Sequence, residues 1–199
     1  MRHLGAEVIL TQAEDGMNGA IHKAEMLKER NSNVVILSQF DNEANPNAHR
    51  MGTAMEILED TGGDFDVLVA GVGTSGTLTG IASVLRTYNQ DLYVAGGGES
   101  SAVLSGESKG VHKIQGIGAG FVPPFYDKSL VNEVVKIGDE KAIEMAKTVA
   151  KTEGLPIGVS GGAAIAAAAE LAKRDEFVNK RLVVILPDSV ERYLSTGYF

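Results

Sequence analysis

The densest cluster of chemistry-bearing residues is Gly71-Val72-Gly73-Thr74-Ser75-Gly76-Thr77, which follows an apolar run of strand length and opens a segment of helical spacing. Backbone N–H groups at a helix start, together with the helix dipole, favour a phosphate there. Glycines 71, 73 and 76 also satisfy the dinucleotide fingerprint G-x-G-x-x-G, with Glu99 as a candidate ribose-binding acid beyond the next strand. Spacing alone does not separate the two. The hydroxyls of Thr74, Ser75 and Thr77 suit a terminal phosphate monoester, whereas a bridging pyrophosphate is usually met by bare backbone. No lysine follows Gly76, so the Walker pattern fails. A tight strand-to-helix turn without a ligand is the plainest alternative.

Other chemistries are excluded or weakly supported. The chain has no cysteine, which removes disulfides and thiolate chemistry and fits a cytoplasmic protein. Its four histidines, at 3, 22, 49 and 112, lack the paired spacing of a metal site, so no metal is expected. A formal charge of −8 disfavours nucleic acid and anionic membrane surfaces as partners. No apolar run reaches the length of a membrane span, and the methionines fit helix packing.

The elements that must position the glycine loop alternate between short β-branched runs and longer segments of helical period, which implies a mostly parallel sheet covered by helices. Strands are expected at 7–11, 34–38, 67–70, 92–95, 134–137 and 181–187, and helices at 17–30, 49–60, 77–88, 139–154 and 163–172. A polar loop is expected to run through Pro46, and residues 96–124, punctuated by glycine, read as mostly loop. Asp139 is the expected N-cap of its helix and Gly154 its C-terminal glycine. The Ala-rich run from Ala163 is apolar nearly all round and is expected to be buried.

Several separated strings resemble one family, the cysteine synthases (O-acetylserine sulfhydrylases) of the fold type II pyridoxal 5′-phosphate (PLP) enzymes. They are Gln39-Phe40-Asp41-Asn42-Glu43-Ala44-Asn45-Pro46 with His49, then Gly71 to Gly80, then Ala102-Val103-Leu104-Ser105-Gly106. The string from His112 to Phe121 and the motif Pro187-Asp188-Ser189 with Glu191-Arg192-Tyr193-Leu194-Ser195-Thr196 complete the match. Cystathionine β-synthases share the phosphate loop and are the nearest alternative, but the last two strings are more similar to cysteine synthase.

The resemblance implies an α/β, three-layer fold with a mostly parallel sheet, in which residues 1–40 are a remnant of the smaller N-terminal domain and 41–199 form the larger PLP-phosphate-binding domain. It implies conversion of O-acetylserine and sulfide to cysteine and acetate, with PLP as electron sink. Gly73, Thr74, Ser75, Gly76 and Thr77 would cradle the phosphate, and Ser160 would lie near the pyridine end of the ring. Gln39 would contact the substrate carboxylate, with Gly116, Gly118 and Gly120 beside the cofactor. A homodimer is usual for the family, and its cleft accepts the C-terminal tail of serine acetyltransferase.

Two departures stand out. The family's cofactor-binding lysine and its Thr-Ser-Gly-Asn substrate loop belong to an N-terminal segment not found here, and none of the eleven lysines stands in the required context, Lys113 included. The chain alone is therefore expected to be inactive, with a catalytically dead relative that holds PLP or a partner as the alternative. Gly161 stands where the family has a second serine whose hydroxyl meets the ring nitrogen. Residues 1–40 are expected to be mobile by themselves.

Overall fold

The computed structural model of the chain describes residues 1–97, 101–104 and 112–199. Two compact units are present, Met1–Ser38 and Gln39–Phe199. Within the first, the main element is α1 (Gly16–Arg30), preceded by single 3-10 turns at Arg2–Leu4 and Ala13–Asp15. The strands expected at 7–11 and 34–38 are not formed. A strand needs a hydrogen-bonded neighbour strand, and among the described residues these runs belong to no sheet; Leu10, Val35 and Leu37 are exposed instead.

Among the described residues, the second unit is built on a four-stranded, wholly parallel sheet in the order β3-β2-β1-β4, with β1 (Val67–Gly71), β2 (Tyr93–Gly97), β3 (Glu133–Val135) and β4 (Leu182–Val184). Central β1 is buried along Val67-Leu68-Val69-Ala70, the continuous apolar signature of a strand covered on both faces. Its side chains alternate between two cores. Val67 and Val69 pack with the alanines of α7 (Val159–Leu171), whereas Leu68 and Ala70 pack with Leu78, Ile81 and Leu85 of α4 (Gly76–Tyr88). The result is the expected three-layer α/β arrangement.

Several boundaries differ from the sequence reading for local reasons. The helix expected from His49 begins earlier, as α2 (Ala44–Ala48), widens into one π turn at His49–Thr53 and continues as α3 (Ala54–Thr61). Pro46 does not hold this stretch as a loop, because it sits in the first turn, where its missing N–H has no intrahelical partner in any case. Within 96–124, a short helix, α5 (Ser101–Leu104), forms. Asp139 is not an N-cap: α6 (Asp139–Glu153) is preceded by Gly138, and the Asp139 carboxylate accepts the Lys113 N–H at 2.8 Å. Gly154 ends α6 with φ +70°, as expected. The strand expected across 181–187 is a three-residue ladder, since among the described residues β4 pairs only with β1.

Among the described residues no helix is long and apolar enough to cross a membrane.

Candidate cofactor site

The chain order β1, β2, β3 grows to one side of β1 and β4 lies on the other, so a crevice opens between β1 and β4 beyond their carboxyl ends. A cavity of about 450 Å³ occupies this place, within the range of small-molecule sites. Gln39, Gly73, Thr74, Ser75, Thr77, Gly116 and Ser160 all line it, although they come from four separated stretches of sequence. Gly76 and Gly118 do not. Gly76 lies behind the loop as the first residue of α4, and the Gly118 N–H donates to the Val72 carbonyl at 3.0 Å, tying the 112–121 stretch to the glycine loop. Glu99, Ser105 and Gly106 lie outside the described residues.

Each hydroxyl of the loop has a different fate. The Asn45 amide donates to Thr74 Oγ1 at 2.9 Å and to the Gln39 carbonyl at 2.7 Å, and the Gly76 N–H also reaches Thr74 Oγ1, at 3.3 Å. With two donors aimed at its oxygen, Thr74 has its own proton free for an acceptor in the cavity. Ser75 is different. It is buried at φ +68°, and its Oγ lies 3.0 Å from Thr79 Oγ1, whose proton goes to the Phe125 carbonyl at 2.8 Å. Ser75 must therefore donate to Thr79, so its hydroxyl is spent inside the protein and its contribution to the loop is backbone. Thr77 Oγ1 shares a 3.0 Å bond with His49 Nε2.

The opposite wall carries the C-terminal motif. Tyr193 donates to Asp188 Oδ2 at 2.7 Å, while Asp188 Oδ1 is buried without a partner. Burial, reinforced by the Asp188 carboxylate, pushes the Tyr193 phenol up to about 12. Because the folded value lies above the unfolded value of about 10, the stabilisation is complete below pH 10 and is lost as pH rises from there to about 12. Tyr93, raised to about 12 chiefly by burial, behaves likewise. Phenolate absorbance is accordingly expected to show a late-ionising phase to which Tyr93 and Tyr193 contribute, with Y193F removing one tyrosine from it. A late phase unchanged by Y193F would contradict this assignment.

The residues fit a phosphate ester. Helix α4 has no acidic residue in its first turn, and the Ser75 side chain does not cap it; of the leading N–H groups, the Gly76 N–H reaches Thr74 Oγ1 at 3.3 Å, and no acidic side chain competes for the others. Among the described residues no set of His, Asp and Glu could hold a metal ion. No described lysine lines the cavity, and its lining includes one cation, Arg192.

Asn45, His49, Asp188 and Tyr193 had no role assigned from sequence, although all stand in the matched strings. Their only sequence signal was membership of those strings. What they do depends on partners up to 29 positions away, as with Asn45 and Thr74.

The family described as "Pyridoxal-phosphate dependent enzyme" matches residues 1–188. Cysteine synthase A of Escherichia coli strain K12 is 47% identical over 209 aligned positions, covering 100% of this chain and 65% of that protein. The crystal structure of O-acetyl serine sulfhydrylase isoform 3 from Entamoeba histolytica superposes with a TM-score of 0.92 at 43% identity, covering 100% of this chain and 59% of the other. An O-acetylserine dependent cystathionine β-synthase from Helicobacter pylori follows, at 36% identity and a TM-score of 0.91, with 100% and 64% covered. The chain thus spans less than two thirds of the length of these relatives, from 59% to 65%. With the four strands, the glycine loop and most of the crevice lining inside the matched span, this chain belongs to the pyridoxal-phosphate dependent enzyme family.

Proposed function

We propose that the chain forms the phosphate-binding part of a cysteine synthase site, in which O-acetylserine and sulfide are converted to cysteine and acetate. The observation that carries this reading is the single crevice in which the glycine loop, Gln39, Gly116 and Ser160 meet. The names of the relatives, cysteine synthase and O-acetyl serine sulfhydrylase, support the substrate class.

In this reading the leading N–H groups of α4 and the Thr74 and Thr77 hydroxyls hold the phosphate, with Gly73 and Gly76 keeping the loop close to its neighbours. PLP, when bound, supplies the electron sink for exchange at the β-carbon of the amino acid. Gln39 orients the substrate carboxylate, and Gly116 and Gly118 belong to the segment beside the ring. Ser160 lies toward the ring nitrogen. Since no described lysine reaches the cavity lining, the chain by itself holds PLP only non-covalently and does not turn over. The family resemblance extends the proposal to a homodimer and to the serine acetyltransferase tail as an occupant of the cleft.

The test compares binding of PLP and of pyridoxal, which lacks the phosphate, to the purified chain, followed by an assay for cysteine. Preferential binding of PLP by about tenfold or more, without cysteine formation, is the expected result. Fusion to the N-terminal portion of the E. coli enzyme should then produce activity. Equal affinity for both ligands would overturn the phosphate site, and turnover by the unfused chain would overturn its inactivity.

A further inference from the structure

The π turn at His49–Thr53 has a consequence for the neighbouring phosphate loop. It brings His49 Nδ1 to 3.0 Å from Thr53 Oγ1, and His49 Nε2 to 3.0 Å from Thr77 Oγ1 on α4. The ring is clamped closely. A Cβ at Gly80 would lie 2.9 Å from His49 Cβ and 2.5 Å from the Pro46 carbonyl oxygen, so only glycine at 80 lets the histidine approach α4 this far. Burial lowers the His49 pKa below its usual value, so the neutral ring carries one proton near pH 7.

That proton has two possible places, and they are not equivalent for a ligand. With Nδ1 protonated, His49 donates to Thr53, and Nε2 must accept the Thr77 proton, which is then unavailable to the cavity. With Nε2 protonated, the order runs one way: the Thr53 hydroxyl donates to Nδ1, Nε2 donates to Thr77 Oγ1, and the Thr77 proton is released toward the cavity. A phosphate dianion offers only acceptors, so it selects the second arrangement.

We infer that His49 is a positioning residue that, with Thr53 behind it, turns the Thr77 hydroxyl proton onto a bound phosphate. This rests on the phosphate-site reading above and adds to it a direction for the hydrogen-bond chain. It parallels Thr74, where Asn45 and the Gly76 N–H occupy the oxygen and free the proton.

The test uses the full chain, with PLP and pyridoxal as probes. Nitrogen-15 NMR of PLP-loaded protein should show His49 protonated at Nε2 and bare at Nδ1; the reverse tautomer would overturn the inference. H49L should weaken PLP binding about tenfold while changing pyridoxal binding less than about twofold, and H49Q, which keeps an N–H near the Nε2 position, should recover to within about threefold of the parent. If H49L fails to fold, T53V serves instead: it removes the donor to Nδ1, so a mixed tautomer and weaker PLP binding are expected, and an unchanged tautomer overturns the proposal. Should the parent chain itself not distinguish PLP from pyridoxal, the phosphate reading falls and this inference with it. A parent that prefers PLP, with H49L preferring it equally, overturns the inference alone.

Discussion

Substituting Gly162 by alanine should lower the stability of the chain by about 3 kcal/mol, because the new methyl has nowhere to go. Its Cβ would stand 2.1 Å from the Ala142 carbonyl oxygen, 2.9 Å from Ala146 Cβ and 3.0 Å from the Ala146 nitrogen. All belong to α6, so relief requires two helices to separate, and α7 is the helix whose alanines fill one face of the sheet. The adjacent position predicts the opposite sign. A Cβ at Gly161 would approach only the Ile157 and Leu186 side chains, no closer than 3.4 Å, so G161A should be neutral or stabilise by up to about 1 kcal/mol through helix propensity. Urea midpoints at unchanged m report both effects. Equal effects from the two substitutions would contradict this account of the α6/α7 contact.

The second large effect is expected at the ligand. G76A would place a methyl 2.1 Å from Asn45 Oδ1 and 2.7 Å from its Nδ2, which forces the Asn45 amide off both Thr74 and the Gln39 carbonyl. Two hydrogen bonds of about 1 to 1.5 kcal/mol each are at stake, so PLP affinity should fall by roughly tenfold to a hundredfold. Because the crowded atoms are the far end of a side chain, the cost in folding stability should not exceed the two lost hydrogen bonds, about 2 to 3 kcal/mol. A double-mutant cycle separates the causes. If G76A acts through Asn45, then N45A combined with G76A should bind PLP no worse than N45A alone. Additive losses would mean that the methyl blocks the phosphate directly.

Much of the architecture was legible before any coordinates. The buried run Val67 to Ala70, the period of α4 and the Gly154 stop are local features, and local chemistry decides them. The glycine loop was identifiable for the same reason: its residue types sit between a strand and a helix start. The runs at 7–11 and 34–38 show the limit of that reasoning. Their composition is as β-prone as that of β1, yet pairing is a property of a neighbour, and no ladder forms there among the described residues. Pro46 shows a subtler limit, since its effect depends on which turn of a helix it occupies.

The class of fold, the strand–glycine-loop–helix order around residues 71–77 and the strings shared with the family are therefore legible in the residues alone. Tertiary structure alone decided which hydroxyls remain available. Ser75 and Thr77 are alike on paper, but Thr79 and the Phe125 carbonyl draw one inward, while His49 meets the other at the crevice. Hydrogen-bond direction is set by every donor and acceptor within about 3 Å, and folding brings those partners together from as far as 46 residues away along the chain.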